Sequence, residues 1–191
     1  MSLYKQHRQE IRNYILEVAT KLFRDKGYHN VSVEEITLSV GVAKGTFYNL
    51  FTSKLDILIE YTNILFSKIE FDNCFDKEKN IEDNVEAFLE KLCEFIRKDE
   101  QMHLIFLKEV TPMYGNDILK GKFNFKKILY EIIINSKDYS KVVKKEINSL
   151  IEIFSFILYF KLLELANEMK NLVDIKSQIM EEVRYCLYGI F

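Results

Sequence analysis

Apolar residues recur every three or four positions along most of the chain, as in Val33, Ile36 and Val40, in Leu58, Tyr61 and Leu65, and in Ile175, Ile179, Val183 and Leu187. That spacing places them on one face of a helix. No run alternates valine or threonine with polar residues between turn signals, so strands find no place. One proline and six glycines in 191 residues leave the helical pattern with few interruptions. The pattern predicts an all-α protein of nine or so helices.

The segment from Val31 to Asp56 predicts two short helices around a glycine turn, followed at once by a third helix start. Ser32 is a good N-cap, Glu35 stands where it can close a capping box, and Val31 and Ile36 flank them as a hydrophobic staple. Gly41 sits where helices end in a left-handed residue. A second helix over about Ala43 to Leu50 turns Val42, Phe47 and Phe51 toward a core. Lys44, Gly45, Thr46, Tyr48 and Asn49 are left for the other side. Ser53 caps a third helix running through Leu58, Tyr61, Leu65 and Ile69, and the amides of its first turn with Lys54 suit a phosphate. This is how a helix-turn-helix reader of DNA is written.

Gly41, Val42, Lys44, Gly45, Thr46, Tyr48, Phe51, Ser53 and Lys54 match the pattern of the TetR/AcrR family of bacterial transcriptional repressors, which this run resembles. The likeness extends upstream, where residues 9–30 are similar to the family's first helix with Phe23, Gly27 and Tyr28 at its end, and covers about the first 60 residues. It implies a three-helix DNA-binding domain over 1–53 and a ligand-binding and dimerisation bundle over 54–191. It also implies a repressor that binds a palindromic operator and is released by a small, largely apolar ligand. Lys44 and Thr46 would reach base edges, Tyr48 and Lys54 would hold phosphates, Asn49 would do either, and Ser32 would add a phosphate contact to its capping role. Ala43, Leu50 and Thr52 depart from the family's serine, aromatic or histidine, and lysine. The lost cap costs about 1 kcal/mol, and two phosphate contacts disappear.

The net charge of −2 is low for a DNA-binding protein, but the charges are unevenly placed. Residues 70–100 hold eleven acids and five bases, whereas residues 1–60 hold eight bases and seven acids. Lys5, His7, Arg8 and Arg12 crowd the amino-terminal arm, and Lys44 and Lys54 flank the recognition helix, which predicts a modest basic stripe. Cys74, Cys93 and Cys186 are far apart and lack paired spacing with histidine, so neither a disulfide framework nor a metal site is expected. No cofactor motif is present, no leader-like segment opens the chain, and the expected compartment is the cytoplasm.

Ile147–Leu165 is the most apolar stretch, but Glu152, Lys161 and Glu164 interrupt it, so a buried helix is expected and not a membrane span. Its apolar groups lie on more than one face, which calls for two partners. The second would be the same helix of another copy, with Asp174–Tyr188 completing a two-fold seam, as the resemblance also implies for the last two helices. Tyr61, Phe66, Phe88, Phe95, His103, Phe106 and Tyr114 supply the aromatic and polar groups of a candidate effector pocket. Thr111, Pro112 and Gly115 predict a loop at its mouth. Three other readings stay open: a regulator without an inducer, a helical protein-interaction module, and an enzyme, for which no nucleophile, metal or phosphate-loop motif is present.

Overall fold

The computed structural model describes residues 3–68, 75–114, 125–141, 144–167 and 171–189. Nine α-helices lie among them, with no strand: α1 (Leu3–Lys26), α2 (Val33–Val40), α3 (Lys44–Tyr48), α4 (Lys54–Phe66), α5 (Ile81–Lys98), α6 (Glu100–Tyr114), α7 (Phe125–Asn135), α8 (Lys144–Ala166) and α9 (Leu172–Tyr188). Short 3₁₀ turns follow α1 at Tyr28–Asn30 and α7 at Tyr139–Lys141.

The first three helices close around a small core. Ile15, Ala19 and Phe23 of α1, Ile36 of α2 and Phe47 of α3 are each fully buried, and Phe51, Ile57 and Leu58 join them. Truncating such an aromatic costs about 3–5 kcal/mol, so Phe47 anchors an otherwise marginal five-residue helix. Helix α4 packs against both α1 and α6, which joins this domain to the larger bundle without a linker. It ends at Phe66, and Ile69, expected to continue it, lies outside the described residues.

In the larger bundle α5 buries Ile81, Val85, Phe88, Leu92 and Phe95 along one stripe, and Asn80 caps it by accepting the Asp83 amide at 2.7 Å. Fully buried Asn84 is satisfied on both sides of its amide, donating to Asp76 O at 3.0 Å and Ser136 Oγ at 2.9 Å and accepting from Asp76 N at 2.8 Å. This pins the start of α5 to the end of α7.

The break predicted at Thr111 and Pro112 is not observed, because α6 continues through both residues to Tyr114. Proline removes one helical hydrogen bond, but burial of Met102, Phe106, Leu107 and Val110 holds the preceding turns in place. Gly115 lies outside the described residues, as does Cys74.

Helix α8 packs against α6, α7 and α9, burying Ile151, Phe154, Leu158 and Leu162. Its other face leaves Ile153, Phe156 and Phe160 exposed at 44, 43 and 58%. Among the described residues no helix is long and apolar enough to cross a membrane.

Candidate nucleic-acid interface

Helices α2 and α3 meet at a turn fixed by backbone chemistry. Ser32 Oγ accepts the Glu35 amide at 3.1 Å and starts α2. The reciprocal half of the expected capping box is missing, because the Glu35 carboxylate pairs with Lys26 of α1 instead. A lysine within reach offers charge attraction that the Ser32 amide lacks. Gly41 ends α2 with φ 78° and ψ 34°, and the amides of Gly41 and Val42 both donate to Thr37 O, at 2.9 and 3.0 Å.

Helix α3 has no side-chain cap at Ala43, as its sequence foretells. It is held from its other end. Arg8 donates to Asn49 O at 2.8 Å, and Arg12 donates to Leu50 O while pairing with Glu60 and lying 4.3 Å over the Phe51 ring. Two cations thus sit on the carbonyls where the helix dipole is negative. In sequence, Arg8 and Arg12 belong only to a basic stripe. Their i, i+4 spacing was the available signal that both face one neighbour.

With Phe47 turned inward, Lys44, Gly45, Tyr48 and Asn49 are exposed and Thr46 is half-buried. A Cβ built on Gly45 would meet nothing within 4 Å, so the fold itself leaves room there. Lys44 pairs with Glu34 across the turn, and that hydrogen bond holds the Glu34 carboxyl below its ordinary range. A groove of about 370 Å³ runs beside α3, lined by Tyr4, His7, Arg8, Thr46 and Asn49 among others.

Lys54 points elsewhere. Its ammonium donates to Tyr28 O at 2.8 Å and Val31 O at 2.6 Å and lies 4.4 Å from the Tyr28 ring centroid, so two of its three donors face into the domain. Burial pulls its pKa down, with Glu109 opposing. The first turn of α4 already holds an anion of its own, since Asp56 accepts the Thr52 amide at 2.7 Å while donating its own amide to Ser53 Oγ at 3.3 Å. The expected phosphate clamp at this position is therefore occupied by the protein.

The candidate effector residues divide into two groups. Phe66, Phe88 and Phe95 come together through Phe125, with edge-to-face ring pairs at 5.6, 5.8 and 6.0 Å. His103 lies against Phe95 at 4.1 Å, and Phe106 is buried. Tyr61 instead stands at the junction of the domains, accepting from Arg24 at 2.7 Å and donating to Asp99. Burial foremost, with the Asp99 hydrogen bond next, pushes its phenol up to about 12. The Tyr114 side chain lies outside the described residues.

An exposed, polar short helix seated by one phenylalanine after a glycine turn defines the class: a helix-turn-helix DNA-binding regulator. Residues 15–61 match the family model of bacterial regulatory proteins, tetR family. The chain is 40% identical over 60 residues to the helix-turn-helix-type transcriptional regulator YuxN of Bacillus subtilis, a match spanning 31% of this chain and 21% of that protein. It is 25% identical over 186 residues to IcaR, the negative transcriptional regulator of the biofilm operon icaADBC in Staphylococcus aureus, covering 95% of this chain and 98% of IcaR. In fold it is similar to FadR of Thermus thermophilus, a TetR-family repressor solved with lauroyl-CoA, at a TM-score of 0.71 and 17% identity over 94% of this chain and 95% of FadR. Over residues 15–61 the chain thus carries a DNA-binding segment of the bacterial tetR type, and its helical fold is similar to that of a TetR-family repressor.

Proposed function

We propose that this regulator is a homodimeric repressor of the cytoplasm that holds a palindromic operator through α3 and lets go when a small, largely apolar molecule enters its larger domain. The domain boundary on this reading falls between Ser53 and Lys54. The single observation that carries the reading is the face of α3. Lys44, Gly45, Tyr48 and Asn49 stand clear of the fold while Phe47 fixes the helix from behind. Lys44 and Thr46 are assigned to base edges, Tyr48 to phosphate, and Asn49 to either. Ser32 adds a hydroxyl beside the turn. Lys54 is assigned to holding the domain together. Repression follows IcaR and FadR, both negative regulators by name.

The dimer is supported by the apolar face of α8, where Ile153, Phe156 and Phe160 stay exposed among the described residues. Tyr185 and Tyr188 on α9, each about half exposed at 49 and 48%, extend it. Half-sites one helical turn apart lie about 34–36 Å from each other, so a few ångströms of movement transmitted through α4 breaks simultaneous engagement. The effector site is assigned to the aromatic cluster of Phe66, Phe88 and Phe95 with His103 and Phe106. FadR, which was solved with lauroyl-CoA, sets the precedent for a ligand with an apolar acyl portion. No catalytic step belongs to this reading.

Selection of bound sequences from a random duplex pool, then titration of the winner at several salt concentrations, tests it. An enriched palindrome with affinity falling steeply in salt is the expected result. No enrichment from folded, dimeric protein overturns it.

A further inference from the structure

His103 is 2% exposed, and its two ring nitrogens are treated differently. Nδ1 lies 3.1 Å from Ile96 O, an acceptor, and therefore carries a proton. Nε2 is buried and, among the described residues, has no hydrogen-bond partner. Burial drives the ring toward its neutral form, against the pull of the Ile96 carbonyl and Asp99. Nε2 is then a bare lone pair: it accepts and cannot donate. A buried acceptor without a partner loses its hydration uncompensated, which makes its retention beside Phe95 informative.

One neighbour of the imidazole is aromatic. The Phe95 ring centroid lies 4.1 Å from that of the imidazole with the rings inclined at 41°, and Phe66 packs edge-on against Phe95 at 5.6 Å. A flat apolar ring brought beside Phe95 would take the offset or edge-on geometry that aromatic pairs prefer. What such a ring needs in order to satisfy Nε2 is one donor.

Resting on the effector-controlled reading above, we infer that His103 Nε2 is the polar contact for an aromatic-sized, apolar effector bearing a single neutral hydrogen-bond donor, a hydroxyl or an N–H. A carboxylate is disfavoured there, because two acceptors face each other until the buried ring takes up a proton. The position also explains how binding reaches the DNA-reading domain. Asp99, four residues before His103, is held by Arg24 of α1 and Tyr61 of α4, so a shift of α6 at His103 moves the corner that both grip.

The test uses the full-length protein with imidazole-¹⁵N histidines and three probes of one shape: 2-naphthol, 2-methoxynaphthalene and 2-naphthoate. Nitrogen NMR reads the state of His103 Nε2, and calorimetry reads affinity. The expected result is a bare Nε2 in the free protein, moved by 2-naphthol, with the alcohol bound at least tenfold tighter than the ether or the acid at pH 7.5. His103→Phe keeps the fold and brings alcohol and ether to equal affinity; His103→Gln, which keeps an acceptor, retains part of the preference. The proposal is overturned by equal affinities in the wild-type protein, by an Nε2 already hydrogen-bonded and indifferent to all three, or by no binding of 2-naphthol. Release of the selected operator by some other molecule with an unchanged His103 signal would discard this site and keep the effector reading. Failure to bind any operator would discard that reading itself.

Discussion

Arg24 on α1 and Asp99 at the corner between α5 and α6 are joined at 2.6 Å, and the Tyr61 hydroxyl of α4 shares both partners. One ion pair thereby ties three elements from the two domains. Gln101 reinforces it with a 3.0 Å hydrogen bond to Arg24 O, and His29 reaches Glu109 of α6 at 2.9 Å. The DNA-reading domain is thus gripped along α6, the helix that also carries His103.

Replacing Asp99 with Asn leaves the guanidinium without its counter-charge. The loss expected in urea denaturation is about 1–2 kcal/mol, less than for a fully buried pair because the Arg24 side chain is 35% exposed. A double-mutant cycle with Arg24→Met measures the coupling. Operator affinity should change in the same variants although neither residue lies at α3.

Two glycines near the recognition helix should respond in opposite ways. At Gly41, φ is 78°, so Gly41→Ala costs about 1–2 kcal/mol of stability in thermal or urea melts. At Gly45 no positive φ is required and a Cβ meets open space, so Gly45→Ala stabilises α3 by about 0.5–1 kcal/mol. On the proposed interface the added methyl stands between backbone and DNA. Operator affinity therefore falls while the melting temperature holds or rises.

Two lysines that look alike in sequence should also separate. Lys44→Met leaves stability near the wild-type value and lowers the slope of log affinity against log salt by about 1. Lys54→Met removes donors to Tyr28 O and Val31 O and destabilises the domain itself. Glu34→Gln frees Lys44 and removes a negative charge beside the DNA, so tighter operator binding is expected.

Charge placed on the open face of α8 should separate the subunits. Phe156→Glu with Phe160→Glu puts two carboxylates where the proposed two-fold axis brings them against their own copies. Light scattering should report monomers that retain full helicity by circular dichroism.

Acid stability follows from two groups whose folded pKa values lie below their ordinary ones. His103 is lowered from 6.5, chiefly by burial. Asp99 lies below its ordinary 3.8 because hydrogen bonds from Arg24 and Tyr61 outweigh the opposing effect of its burial. In both cases the unfolded chain takes up the proton first. Stability is therefore complete above pH 6.5 and declines below it as His103 resists protonation, with Asp99 adding a second decline below pH 3.8. Asp99 faces His103 and moderates the first decline by favouring the imidazolium. Urea midpoints measured from pH 8 to pH 4 should show it in the wild type and not in His103→Phe.

The elements written by local rules are the ones the sequence determined by itself. Ser32, Gly41 and Ser53 act through hydrogen bonds and dihedral angles within four residues of themselves, so the helix-turn-helix and the start of α4 could be read without a fold. Periodicity did the same for α8 and α9, because one face of a helix is a property of spacing alone. The tertiary structure decided the partners. Lys54 and Arg12 carry charges that suit a phosphate equally well, and only the arrival of Tyr28 O, Val31 O, Leu50 O and Glu60 from distant segments turned them inward. Pro112 marked a break by its own chemistry, yet packing carried α6 past it, because burial along a whole helix outweighs one missing hydrogen bond. His103 was one aromatic-rich position among several. What sets it apart is an acceptor without a hydrogen-bond partner among the described residues, a property of its three-dimensional surroundings that no local pattern encodes.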